Sequence, residues 1–142
     1  MLELALTLDS KAHALSQPTS GRLVLKNSGE EPLLVNSRLA INKSFAPEPF
    51  REVYLILTNP SGEAVEFSAK INVGEPQSKD FRDLASGETV DRAFELDLFY
   101  ALEQPGEYSI QAVYSNQSDP VDGRQAWKGK LESNQVSFVL EP

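Results

Sequence analysis

Leu102-Glu103-Gln104-Pro105-Gly106-Glu107-Tyr108-Ser109-Ile110 is the stretch that decides the fold. Pro105 and Gly106 mark a turn, because proline presets φ and glycine adopts conformations closed to other residues. From Tyr108 onward the apolar residues alternate as Tyr108, Ile110, Ala112 and Tyr114. A period of two places them on one face of a strand. A tyrosine that opens a strand directly after such a corner sends its hydroxyl back to the backbone just upstream, an arrangement found in two-sheet sandwiches. The acceptor is therefore expected between Phe99 and Gln104, with Tyr108 mostly buried and Ile110 facing the core.

The same rhythm recurs on both sides of this corner. Leu2, Leu4, Leu6 and Leu8 alternate with Glu3, Ala5, Thr7 and Asp9, and Leu23 and Leu25 alternate with Arg22 and Lys26. Val53-Tyr54-Leu55-Ile56-Leu57 is an unbroken apolar run, which reads as a strand buried on both faces. Val65 and Phe67 flank Glu66, and Val136, Phe138 and Leu140 form the last ladder. Val90, Phe94 and Leu96 alternate with Thr89, Asp91, Ala93 and Glu95, while Arg92 interrupts the inward face. Turns at Ser28-Gly29-Glu30, Ser61-Gly62-Glu63, Ser86-Gly87-Glu88 and Pro105-Gly106-Glu107 share one chemistry at irregular spacing, which excludes a solenoid or propeller of fixed period. No window carries an apolar stripe of helical length; Asp97 to Glu103 provides one helical turn at most. Many short strands separated by turns predict an all-β fold: an antiparallel two-sheet immunoglobulin-like sandwich of about seven to nine strands.

Length and charge set the limits on function. The 142 residues suit one domain with one core, spanning 1–142. The net charge of −8 repels phosphate backbones and anionic lipid, which argues against nucleic acid as a partner. The longest apolar run is far short of the ~20 residues that cross a bilayer, so no membrane insertion is expected. With no Cys and only His13, the Ser-His, Cys-His and multi-His constellations lack material. Asp91, Glu95 and Asp97 fall on the solvent side of their strand, where solvated charge outweighs acid–base chemistry. Asp119-Pro120-Val121-Asp122-Gly123 lacks the acidic density of a calcium loop and reads as an Asx turn followed by a glycine turn. The expectation is a non-enzyme with no catalytic residue, no metal site and no cofactor. The start has no basic region followed by an apolar segment, so the chain reads as cytoplasmic as written, or extracytoplasmic where a signal peptide has been removed.

The opening alternating strand, the hairpin Leu25-Lys26-Asn27-Ser28-Gly29-Glu30-Glu31-Pro32-Leu33, the segment Leu84-Ala85-Ser86-Gly87-Glu88-Thr89-Val90 and the Gly106-Glu107-Tyr108 corner together resemble bacterial immunoglobulin-like domains. Within these, the pattern is similar to the BsuPI-like intracellular proteinase inhibitor group and to accessory β-domains of bacterial hydrolases. Ala126-Trp127-Lys128-Gly129-Lys130-Leu131-Glu132-Ser133-Asn134 resembles the closing segment of such accessory domains. The resemblance implies a non-enzymatic protein-binding module whose partner is a protease or another hydrolase, with proteinase inhibition as its sharpest form. The alternative is an extracytoplasmic accessory or carbohydrate-binding sandwich.

Two long connections carry the chemistry such a module needs. Asn42–Arg51 holds Phe45 and Phe50, and Ser115–Trp127 holds Arg124 and the single Trp. In an immunoglobulin-type sandwich the corresponding loops lie at the same end. Aromatic and Arg side chains dominate interface energetics, so Phe45, Phe50, Arg124 and Trp127 are the candidate binding residues. The competing role for Trp127 is to plug one end of the sandwich, and for Phe50 to cover the core. A carbohydrate platform needs coplanar exposed aromatics, and aromatic residues are 8% of the chain.

Overall fold

In the computed structural model, which describes residues 1–47 and 50–142, the chain forms ten strands: β1 (Leu2–Leu8), β2 (Ala12–Ala14), β3 (Ser20–Asn27), β4 (Leu33–Asn36), β5 (Val53–Thr58), β6 (Phe81–Leu84), β7 (Thr89–Glu95), β8 (Gly106–Asn116), β9 (Gly129–Glu132) and β10 (Val136–Glu141). Short 3-10 turns at Ser78–Asp80 and Leu96–Leu98 are the only helical pieces among the described residues. The fold is an all-β sandwich.

One layer has the order β1-β3-β7, antiparallel throughout, with Leu4 opposite Leu25, Leu6 opposite Leu23 and Gly21 opposite Phe94. The pair β4-β6 prolongs this layer around a corner: the Asn27 N–H donates to the Glu88 carbonyl at 3.1 Å, and the Gly87 N–H to the Asn27 carbonyl at 2.7 Å. Asn27 is buried there with its amide donating to Glu31 O at 2.8 Å and Leu84 O at 2.9 Å, which removes the cost of an unpaired polar group. The other layer runs β2-β10-β8-β5, with β9 on the same side of β8 as β10. Between β9 and β10 the ladder breaks: Ser133 N–H donates to Ala112 O, and the Ser133 hydroxyl accepts from Ala112 N–H, both at 2.8 Å. The hydroxyl stands in for a backbone acceptor while Asn134 is turned out toward β1.

Alternation carries into burial as the sequence requires. Leu2, Leu4, Leu6, Leu23, Leu25 and Phe94 of one layer form a single apolar cluster with Leu55, Leu57, Ile110, Ala112, Tyr114, Phe138 and Leu140 of the other. Each fully buried leucine of this set contributes roughly 1.5–3 kcal/mol. The corner has its expected geometry: Tyr108 is 2% exposed and donates its hydroxyl to Gln104 O at 2.7 Å, with its ring stacked 5.2 Å from Phe138. Gly106 sits at φ 127°, where a Cβ would meet Pro60 at 2.8 and 2.9 Å, so the turn requires glycine.

Four expectations are corrected. β5 is not buried on both faces: Ile56 is 45% exposed, because β5 is an edge strand paired antiparallel to β8, and such a strand can keep one face on the core and the other in water. Its free edge is closed instead by irregular backbone and one hydroxyl, with Val53 N–H on Ala40 O, Asn42 N–H on Val53 O, Val65 N–H on Leu57 O and Tyr100 OH on Leu55 O, which blunts edge-to-edge pairing. Val65 and Phe67 form no strand; the segment makes isolated bridges to Thr58 and Tyr100 while both side chains pack on the core. The strand number is ten rather than seven to nine, since β2, β4, β6 and β9 are too short to show a period. Finally, β2 runs parallel to β10 while every other strand pair is antiparallel, because the chain crosses from one layer to the other between β1 and β2.

Candidate binding surface

Glu52 organises the end of the sandwich that carries the long loops. It is 1% exposed, and its carboxylate pairs with the Arg38 guanidinium and accepts the Ala40 N–H at 3.0 Å. The Arg38 Nη2 also donates to Gly74 O at 2.7 Å, and Ser115 N–H donates to Glu52 O at 2.6 Å. One buried residue thus ties three segments that are remote in sequence: 37–52, the stretch around Gly74, and the end of β8. Leu39, fully buried, is held at φ 53°, a conformation that costs roughly 1–2 kcal/mol for a residue with a Cβ. Its carbonyl accepts the Arg92 guanidinium at 2.6 Å, and this contact is how an arginine fits on the inward face of β7. Burial lowers the Arg92 pKa, an effect that the Glu52 charge partly offsets. Burial, then the Glu52 charge, hold the Tyr114 hydroxyl well above the ordinary tyrosine range, while it donates to Asn36 O at 2.9 Å.

On this base the loops take definite shapes. In 42–51, the Asn42 amide donates to Phe50 O at 3.1 Å, Arg51 donates to Ser44 O at 3.0 Å, and Ala46 is buried as an anchor. Phe45 stands out at the tip, 75% exposed, with the Lys43 ammonium 5.0 Å from its ring centre. Glu48 and Pro49 of this loop lie outside the described residues. In the loop after β8, Asn116 reaches Ser118 O at 3.0 Å and Trp127 O at 2.7 Å. Asp119 accepts from the Ala126 N–H and pairs with Lys128 at 2.7 Å, and Asp122 is paired with Arg124 at 2.7 Å. Those partners hold both carboxyls below the usual carboxylate range, Lys128 chiefly for Asp119 and Arg124 chiefly for Asp122. Between them Val121 projects, 96% exposed.

The four candidates separate on this frame. Phe50 and Val121 line one open cleft of about 660 Å³ together with Gly74, Glu75, Pro76, Gln77 and Ser78, so the two loops meet at one end as their positions imply. Phe45 stands beside this cleft in sequence but does not line it. Arg124 is engaged by Asp122 and reaches Ser78 O at 3.4 Å. Trp127 is half-buried, its ring 5.8 Å from Tyr114 and its backbone N–H donating to Leu34 O at 2.8 Å; the ring packs against the core rather than into the cleft. Sequence reasoning missed the third wall, Gly74–Ser78. The signal present was Gly74-Glu75-Pro76, punctuation of a loop without indication of where it folds.

Elsewhere, His13 Nε2 lies 2.7 Å from Ser10 O, and its ring is edge-on to Phe138 at 6.3 Å. Asp91 pairs with Arg22, and Asp97 accepts the Thr19 N–H at 3.1 Å. No group of three or more His, Asp or Glu side chains converges to hold a metal among the described residues, and no described helix is long and apolar enough to cross a membrane.

No family model matches the chain, and no curated protein matches it. Among solved structures it is similar to a β-glucosidase of Erythrobacter marinus at TM-score 0.44 and 16% identity, over 99% of this chain and 15% of that one. The chain therefore spans a small part of that enzyme's length, and a likeness this weak carries neither fold nor activity.

Proposed function

We propose that the chain is a non-enzymatic protein-binding module of bacterial immunoglobulin-like type, acting through the end of the sandwich built from 42–51, Gly74–Ser78 and 115–127. The observation that carries this reading is the cleft between Phe50 and the exposed Val121, with a further exposed aromatic, Phe45, on the same loop as Phe50. Charge supports it. The segments 37–52, 74–83 and 117–128 contain seven of the 13 basic and seven of the 21 acidic residues. The whole net charge of −8 therefore belongs to the rest of the chain, and a neutral, partly apolar end on an acidic body suits a docking face. Proteinase inhibition, with a loop or side chain of a protease seated in the cleft, is the sharpest form. Carbohydrate binding is less well supported, because Phe45 is the only large exposed aromatic among the described residues.

The test is site-specific photocrosslinking in the native host, with the crosslinker at Phe45 or Val121 and a control at Glu95 on β7. A partner captured at the first two positions and absent at the third supports the reading. Equal capture at all three, or none, refutes it. Inhibition of the captured protein, where it is a protease, then separates the inhibitor from other binding roles.

A further inference from the structure

A second groove, unrelated to the loop end, runs along the open side of the sandwich between β1 and β10. It measures about 700 Å³ and is lined by Leu6 and Leu8 of β1, by Lys11 and Glu107, and by Gln135 and the outer edge of β10 from Val136 to Val139. We propose that this groove accepts an extended, basic segment of another protein, which adds as a strand to the free edge of β10.

The backbone chemistry points there. Val139 N–H donates to Lys11 O at 2.8 Å, away from β8. Groups two residues apart on a strand point to the same side, so Ser137 turns its N–H and C=O toward the groove. β2 pairs only with Val139–Glu141, and the place beside Ser137 is left open. Across the groove the edge of β1 is already served by a surrogate: the Asn134 side chain accepts the Leu6 N–H and donates to the Leu6 carbonyl, both at 2.9 Å. An amide in extended register is thus what this edge takes, and Asn134 supplies one unit of it. A peptide laid in the groove pairs in the same way with the opposite edge, that of β10 at Ser137, as in strand addition to other sheet edges.

Charge selects the occupant. Lys11 and Glu107, the charged residues that line the groove, balance each other, and the strands and turns that carry it, residues 2–14, 106–110 and 129–141, add Glu3, Asp9, Glu132 and Glu141 against Lys130. A second copy of the chain, itself at −8, is repelled; a segment carrying Lys or Arg is attracted.

The experiment pans a phage-displayed random dodecapeptide library on the full chain, then measures the selected synthetic peptides by titration and by amide hydrogen exchange. Expected are peptides alternating in polarity and rich in Lys or Arg. They should slow exchange at the Ser137 amide at least tenfold and lose at least tenfold in affinity for Ser137→Pro, which lacks that N–H but keeps the ladder to β8. Val121→Asp, at the loop end, should bind them unchanged. Should Ser137→Pro fail to fold, exchange in the wild-type complex decides alone. Failure to select any peptide, protection confined to other strands, or an acidic consensus overturns the proposal. So does concentration-dependent self-association that protects Ser137 without peptide, which would assign the groove to a second copy.

Discussion

The Glu52 carboxylate and the Arg38 guanidinium form an ion pair in which the acid is inaccessible to water and the base only partly so. Such a pair is weak evidence for net stability, because desolvating the charges offsets much of their attraction. Its role here is positional. Through Arg38 it holds Gly74, one wall of the cleft, next to the loop that carries Phe50, while the Glu52 backbone carbonyl accepts the Ser115 N–H near the end of β8.

Removing one partner should therefore cost more than removing both. Glu52→Gln leaves the Arg38 charge uncompensated and should destabilise by about 3 kcal/mol, the low end for a broken buried pair because Arg38 is partly exposed. Arg38→Met with Glu52→Leu should recover most of that loss while loosening the Gly74 segment. Urea melts of the three variants check this, and a double variant no better than Glu52→Gln would contradict it.

Tyr108→Phe deletes one hydrogen bond, to Gln104 O, and leaves the stacked ring in place. A loss of about 0.5–1.5 kcal/mol is expected, the net worth of one such bond, with an unchanged denaturant m-value. A neutral outcome would mean that the corner contributes packing alone.

That corner is legible in the sequence because it is local: turn chemistry, hydroxyl and acceptor lie within five residues. The buried faces of β1, β3, β10 and the first half of β8 are legible because alternation survives in a layer packed on one side only, whereas β8 is buried throughout from Ala112 to Asn116. β4 and β6 are not, since Leu33-Leu34-Val35-Asn36 does not alternate and Phe81-Arg82-Asp83-Leu84 buries only its ends. Arg92 shows in the sequence as an interruption, yet its partner, Leu39 O, depends on a strained backbone that no pattern announces. Phe50 and Val121 are placed in one cleft by their loops' topology, whereas Gly74 is seated by Arg38, 36 residues away. Long-range polar contacts of that kind leave no periodicity to read.

High pH should unfold the protein through two tyrosines. Burial raises the Tyr100 pKa to about 12, despite its bond to Leu55 O, and raises Tyr114 further. An unfolded tyrosine ionises near 10. A folded-state pKa above the unfolded one means stability that is fully present below pH ~10 and is lost as pH rises through the folded value, at about 1.4 kcal/mol per pH unit for each tyrosine. Absorbance at ~295 nm should report Tyr100 only near pH 12, and Tyr114 above it or with unfolding. Tyr114→Phe should make the alkaline transition shallower, and an unchanged midpoint and slope would argue against this account.

The packed and the exposed apolar residues of the two loops make opposite predictions. Trp127 packs half-buried on Tyr114, while its bond to Leu34 O is made by the backbone and survives truncation, so Trp127→Ala should destabilise by about 2–3 kcal/mol, below the 3–5 of a fully buried aromatic. Phe45 and Val121 lie in solvent, and Phe45→Ala or Val121→Asp should change stability by no more than about 0.5 kcal/mol. Binding reverses the order: Val121→Asp puts a charge at the mouth of the cleft and should weaken a partner docked there by about 2 kcal/mol or more, the range of an interface hot spot. Trp127→Ala should weaken it only as far as the loop loosens. Thermal melts and titration against the crosslinked partner on the same three proteins separate the roles. If Trp127→Ala abolished binding at full stability while Val121→Asp bound normally, the docking face would have to be moved from the cleft to the Trp127 side of the loop.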